Sequence, residues 1–325
     1  MTTLADLAEL VRAPAALSVP GDVIAGAAAA GALSPRTPAL AGASVLLYWA
    51  GMAANDWADR RLDAEERPER PIPSGRVTPA AAVGLAAGLT AAGVGLAAAV
   101  GGRRAAALAV PLAATIWGYD LLAKNTAAGP AVMAACRGLD VLLGASGGRL
   151  TRALPAAATV AAHTWTVTAL SRREVTGADA TLPMRTLAGT ALVAASAAVA
   201  APGARRAAAR SAEQAGVTDR AGATDRAEAV GEIGVSAGRS RAAGIAAVLP
   251  AVLAGWYAAR YGAAQAQVVR DPSAGRVRAA VGAGITGLPA LQGALTARGG
   301  AGLLGVAVAA AAPLGRRLAR KVSPT

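Results

Sequence analysis

Residues 79–122 read PAAAVGLAAGLTAAGVGLAAAVGGRRAAALAVPLAATIWGYDLL. Two apolar runs, 79–100 and 103–122, flank the pair Gly101-Gly102. An α-helix needs about 20 mostly apolar residues to cross the hydrocarbon core of a bilayer, and each run supplies them. No alternation at period 2 is present, which argues against a membrane β-barrel. Gly101-Gly102 therefore reads as a turn between two helical spans. Eight further apolar stretches fall at 15–34, 38–56, 127–148, 154–171, 182–202, 241–261, 277–297 and 299–316.

The composition supports the same reading. The chain has 325 residues, of which 54% are hydrophobic and 16% charged. Soluble domains carry about 25% charged residues. Phe is absent and aromatics make up 3%, so Ala and Gly do most of the filling. Small residues let membrane helices approach closely. With one cysteine, Cys136, and one histidine, His163, neither a disulfide framework nor a His/Cys zinc site is available. The expected fold is an all-α, multi-pass transmembrane helical bundle forming a single domain over 1–325. Residues 203–240 contain Thr218-Asp219-Arg220 and Thr224-Asp225-Arg226, and read as a low-complexity polar insertion between helices.

The net charge of +13 comes from Arg placed between apolar runs, not from a basic stripe with interleaved aromatics. Nucleic acid is therefore not an expected partner, whereas a lipid bilayer is. The N-terminus, MTTLADLAELVRAP, has acids at Asp6 and Glu9 and no basic start, unlike a cleavable signal peptide. The side that holds residues 57–78 collects 18 Lys and Arg, against 6 in the opposite short loops and 6 in the insertion. The positive-inside rule then puts the charged loops in the cytoplasm and the chain in the cell membrane.

Residues 57–78, WADRRLDAEERPERPIPSGRVT, read as a dense charged loop. At its start Asp56, Asp59 and Asp63 are spaced i, i+3, i+7, and Asn55 stands at i−4 from Asp59. On a helix this spacing gathers the three carboxylates on one face. Clustered carboxylates need positive charge among them. Mg²⁺ prefers oxygen ligands and commonly bridges carboxylates to substrate phosphates. The cluster sits where an apolar span ends, so a diphosphate with a hydrocarbon tail would meet metal, Arg and lipid together.

The stretch continues Arg67-Pro68-Glu69-Arg70-Pro71-Ile72-Pro73-Ser74-Gly75. N-D-x-x-D-x-x-x-D followed by R-P-x-R-P-I-P-S-G closely resembles the first signature of the UbiA family of intramembrane prenyltransferases. Tyr119 followed by Lys124-Asn125, and Arg137-Gly138-Leu139 followed by Leu143-Gly144, resemble the family's fourth and fifth helices. Thr181-Leu182-Pro183 is similar to its turn into the seventh. The resemblance covers roughly residues 15–200. It implies about nine transmembrane helices around a central cavity. It also implies Mg²⁺-dependent transfer of a prenyl group from an isoprenyl diphosphate to a lipophilic, aromatic or other ring acceptor. By the same resemblance Asn55, Asp56, Asp59 and Asp63 hold metal and diphosphate, with the three aspartates as the catalytic set. Arg67, Arg70 and Lys124 are expected as diphosphate contacts.

The family usually carries a second cluster, D-x-x-x-D. Here Glu174 falls on the first acid, Ala178 on the second, and Asp179 comes one residue late. Glu174 and Asp179 are the candidate ligands for a second Mg²⁺. Arg137 and Asp140 stand at i, i+3 inside an apolar span, where charges pair with each other or face a cavity. The two readings are a mutual salt bridge and an Arg137 that contacts substrate from the cavity wall. His163 reads as a packing residue, with proton acceptance as the functional alternative. Tyr48, Trp49, Trp117 and Tyr119 are candidates for stabilising a cationic prenyl fragment, or for interfacial anchoring. A CDP-alcohol phosphotransferase is disfavoured, since no D-G-x-x-A-R occurs. The non-enzymatic alternative is a membrane cation transporter or scaffold, and the Arg67–Gly75 stretch speaks against it.

Overall fold

The computed structural model describes residues 2–179, 181–199 and 229–311. No strand occurs among them. Ten α-helices follow in order: α1 Leu4–Leu10, α2 Pro20–Ala30, α3 Thr37–Glu66, α4 Pro79–Gly118, α5 Gly129–Gly144, α6 Leu150–Ser171, α7 Thr181–Ala198, α8 Ala229–Arg270, α9 Ala274–Arg298 and α10 Gly302–Ala311. Of the expected polar insertion 203–240, residues 203–228 lie outside the described residues. Residues 229–240 are the opening turns of α8 and not part of a loop.

Among the described residues two helical stretches are long and apolar enough to cross a membrane by length and composition, Thr37–Glu66 with mean hydropathy 1.2 and Pro79–Ala123 with 1.9. A straight helix over the 45 residues of the second would run about 68 Å, twice the hydrocarbon thickness. It is not straight. Trp117 Nε1 donates to Thr90 Oγ1 at 3.0 Å, although 27 residues separate them. The chain must fold back, and it does so at Gly102, whose φ of 64° and ψ of −158° belong to a region essentially closed to side-chain-bearing residues. The turn expected at Gly101-Gly102 is thus present as a sharp reversal, with the spans 79–100 and 103–122 as its limbs.

Small residues set the packing. A side chain on Gly26 of α2 would collide with the Val141 carbonyl of α5, and one on Gly144 of α5 with the Val23 carbonyl of α2. The two backbones touch, as membrane helices do through small residues. One apolar core joins α2, α5, α6, α7, α8 and α9 around Val141, Val160, Tyr257 and Leu291. A second joins α2, α3, α4 and α5 around Leu47, Leu112 and Leu143. α4 starts at Thr78, whose hydroxyl accepts from Ala81 N at 3.2 Å, with Pro79 in the first turn. The site lies at the α3 end of the second core, under α1.

Candidate diphosphate and metal site

α3 runs through Glu66, so the charged loop begins at Arg67 and not at residue 57 as the sequence suggested. Asp56, Asp59 and Asp63 are therefore all helical, and each carboxylate meets a cation. Arg12 Nη2 lies 2.6 Å from Asp56 Oδ1, and Arg70 Nη1 reaches Asp63 Oδ2 at 2.6 Å and Asp56 Oδ1 at 3.5 Å. Lys124 Nζ lies 2.6 Å from Asp59 Oδ1. Asn55 Nδ2 donates to Asp120 Oδ1 at 3.2 Å. Arg67 forms no ion pair among the described residues.

The Pro-rich turn after α3 explains why Arg70 doubles back. Arg70 N donates to Arg67 O, and its carbonyl accepts from Ser74 N and Ser74 Oγ, so the backbone curls over the last turns of α3. Arg76 then clamps α1, with Asp6 and Glu9 both at 2.7 Å. The Thr3 backbone and hydroxyl, aided by Arg76, hold the Asp6 carboxyl down at about 2. Clamped in this way, α1 delivers Arg12, whose φ of 45° is left-handed. A non-glycine residue held there signals a backbone fixed by its surroundings. Sequence reasoning missed Arg12 and Asp120. Both reach the motif from 44 to 65 residues away, beyond any local spacing signal.

Three of these groups line a cavity of about 230 Å³, and the Asp56, Asp59 and Asp63 carboxylates stand beside it and not in its wall. Arg12, Asn55 and Asp120 form its polar lining, and Met52, Ile116 and Met133 its apolar lining. Tyr48, Tyr119 and Cys136 complete the wall. A Cβ at Gly51 would lie 2.5 Å from Ile116 Cγ2, so a glycine there suits the tight approach of α3 and α4. Tyr48 already shares its ring with Arg137, 5.5 Å from the centroid. That leaves Tyr119 as the cavity aromatic free to face a developing cation. Trp117 spends its N–H on Thr90, and Trp49 packs in the helix core.

The donor set is suited to a hard divalent cation. It consists of carboxylate and amide oxygens only, the ligands that Mg²⁺ and Ca²⁺ prefer. Among the described residues no three His, Cys, Asp or Glu side chains converge on one point. The acids instead lie along one helical face and share three basic partners, so a metal bound there would act together with Arg12, Arg70 and Lys124.

The second acidic stretch is built differently. α6 ends at Ser171, Gly177 turns with φ +80°, and Asp179 caps α7. Its Oδ1 accepts from Leu182 N at 2.8 Å and from Thr181 N and Oγ1 at 3.0 Å. Those bonds, the one from Leu182 first, hold the Asp179 carboxyl below its ordinary range. Burial pushes Glu174 up, and its backbone carbonyl accepts from Arg278. Neither acid contacts the α3 face.

Arg137 does not pair with Asp140. It crosses to α2, where Asp22 Oδ2 lies 2.7 Å from its Nε, and both groups are buried. Asp140 instead takes a short hydrogen bond from Ser44. Asp22 also accepts from Gln292 of α9 at 2.6 Å. The i, i+3 spacing on α5 was real, but helix rotation points Arg137 at α2. His163 is packed between Tyr257 and Tyr261, with Nδ1 2.8 Å from the Tyr257 hydroxyl, and does not line the cavity.

Fold and site together define an all-helical, apolar-cored protein with a cation-matched acidic helix face at the rim of a cavity. Comparison with known proteins gives this class a family. The chain belongs to the UbiA prenyltransferase family, which it matches over residues 18–204. It is 42% identical over 80 residues to digeranylgeranylglyceryl phosphate synthase of Methanothrix thermoacetophila, covering 24% of this chain and 30% of that one. Over 85 residues it is 44% identical to the same synthase of Natronomonas pharaonis, covering 26% and 31%. The match thus spans about a third of these relatives' length. Among solved structures it resembles one reported for digeranylgeranylglyceryl phosphate synthase in membranes, with TM-score 0.61, 13% identity, and 91% and 98% of the two chains covered. A UbiA homologue from Aeropyrum pernix K1 gives TM-score 0.53 at 18% identity, with 89% and 96% covered. At these identities the likeness is one of fold.

Proposed function

We propose that this protein transfers a prenyl group from an isoprenyl diphosphate to a lipophilic acceptor inside the membrane. Family membership supports prenyl transfer. The observation that carries the site assignment is the row Asn55, Asp56, Asp59, Asp63 on one helical face, with Arg12, Arg70 and Lys124 turned onto it. Mg²⁺ held by these oxygens would supply Lewis-acid charge to the departing diphosphate. Arg12, Arg70 and Lys124 add N–H donors where negative charge grows as the allylic C–O bond breaks. Arg70 and Arg12 also offer planar forks suited to phosphate oxygens. The cavity behind them keeps the reacting carbon away from water, and Tyr119 offers it a π face.

The same reading makes the protein a multi-pass component of the cell membrane with its acidic face toward the cytoplasm. Arg67 extends the diphosphate contacts at the rim. Arg137 acts at one remove, by holding the Tyr48 ring in the cavity wall. Asp179 is engaged as a helix cap, so the α3 row is assigned the principal metal role, with Glu174 and Asp179 as the lesser, second set.

The curated relatives' name favours an acceptor that carries glyceryl phosphate over the aromatic or ring acceptor suggested by the general resemblance. A panel with one acceptor of each kind separates them. The test of the activity is transfer from a radiolabelled prenyl diphosphate by the purified protein in detergent. Product is expected from wild type with Mg²⁺ and not from Asp56→Ala or Asp59→Ala. Equal transfer by all three would overturn the assignment. Metal flux into liposomes without diphosphate binding would support the transporter alternative instead.

A further inference from the structure

We propose that Asp120 is the group by which the cavity grips a hydroxyl on the acceptor, so that the acceptor is an alcohol or phenol with a free O–H. The proposal rests on the reading of this cavity as the place where acceptor and prenyl carbon meet.

Asp120 sits in a π-helical turn, Tyr119–Ala123, closed by Lys124 N donating to Tyr119 O at 2.9 Å. Such turns widen the helix by one residue and recur at functional sites. Here the turn sends two neighbouring charged groups to different places. Lys124 goes out to Asp59, while Asp120 turns into the cavity wall. Asp120 is 6% exposed and forms no ion pair among the described residues. It is the one carboxylate in the cavity lining, and Arg12, the one cation there, is taken by Asp56.

Its two oxygens are not equivalent. Oδ1 accepts from Asn55. Oδ2 has no donor among the described residues, and it lies where a Cβ on Gly51 would come within 3.3 Å of it. Gly51 is one helical turn from Asn55, on the side away from Asp59 and Asp63. Oδ2 therefore lies on the Gly51 side of Asp120, away from the acidic face, and both residues line the cavity with Met52, Ile116 and Met133. A ligand that fills the cavity takes this oxygen out of contact with water, and an acceptor left without a donor is then costly, so a ligand that brings an O–H is favoured over one that does not. A prenyl chain has no such hydrogen. The partner of Oδ2 is then on the acceptor.

The test compares two probes of nearly equal shape, 4-propylphenol and its methyl ether 4-propylanisole. Binding to the full chain in nanodiscs is followed by titration calorimetry, with empty discs as the blank. Wild type should bind the phenol about tenfold or more tightly than the ether, the range expected of a hydrogen bond to a carboxylate. Asp120→Leu keeps the volume and removes the acceptor oxygens. It should bring the ratio near one and leave the affinity for the ether unchanged, which also reports that the cavity is intact. A ratio unchanged by the substitution would overturn the proposal. Parallel weakening of both probes would also overturn it, by making Asp120 a structural support. Because neither probe needs to react, a preserved phenol preference without prenyl transfer would count against the activity alone.

Discussion

Two regions of this molecule place aspartate and arginine deep in an apolar bundle, and they do opposite things with them. On α3 each of three carboxylates has a basic partner, the partners come from mobile-length side chains, and an open cavity lies alongside. Between α2 and α5, one guanidinium pairs with the wholly buried Asp22, which Gln292 also supports, while the buried Asp140 is held by Ser44. The first arrangement leaves ligand-binding oxygens at the rim, where cations can exchange for metal. The second is buried throughout. We read the first as a working site and the second as a lock that fixes α2, α5 and α9.

Breaking the lock should have the largest effect. Arg137→Met leaves the buried Asp22 without its ion-pair partner and should cost about 3–5 kcal/mol of stability. Thermal unfolding in detergent measures it. Adding Asp22→Asn to that variant should recover a large part of the loss, since removal of both partners of a buried pair is tolerated better than removal of one. If the single variant is as stable as wild type, the contrast between the regions fails.

On the α3 side the balance reverses. Asp59→Ala should lower prenyl transfer about a hundredfold or more, the scale seen when a group that stabilises transition-state charge is removed. Its thermal midpoint should stay close to wild type. A loss of fold in place of activity would make α3 another lock.

A smaller effect is expected at the reversal of α4. Gly102→Ala should cost about 1–3 kcal/mol, because φ 64° with ψ −158° is strained for any L side chain. No atom lies within 4 Å of the added methyl, so strain alone sets the loss.

The smallest concerns Asp179. Its carboxyl is held below the ordinary value in the folded chain, so its contribution is present above the unfolded pKa of about 3.9 and is lost as pH falls through the folded value. Asp179→Ala should therefore lower the thermal midpoint slightly at pH 7, and the difference should shrink below about pH 4. A pH-independent difference would show that the cap acts without its charge.

What the sequence made legible follows from how local each signal is. The i, i+3, i+7 spacing of Asp56, Asp59 and Asp63 is a property of one helix, and it is there in the structure. The Gly101-Gly102 turn is equally local. The partners of these residues were not readable, because they depend on how each helix is rotated against its neighbours. Arg12 reaches Asp56 from a left-handed residue 44 positions away, and Asp120 meets Asn55 only because a π turn rotates it inward. Arg137 shows the same limit from the other side. Its nearest acid along the chain was Asp140, yet its partner is Asp22 on another helix.

On this reading the α3 face grips a metal-bound prenyl diphosphate. Calorimetric titration with a non-reactive prenyl thiodiphosphate tests it most directly, on wild type, Asp59→Ala and Asp179→Ala, with Mg²⁺ and with chelator. Wild type and Asp179→Ala should bind only with Mg²⁺, and the affinity of Asp59→Ala should be at least tenfold weaker. Equal affinity in Asp59→Ala, or binding that ignores the chelator, would contradict it.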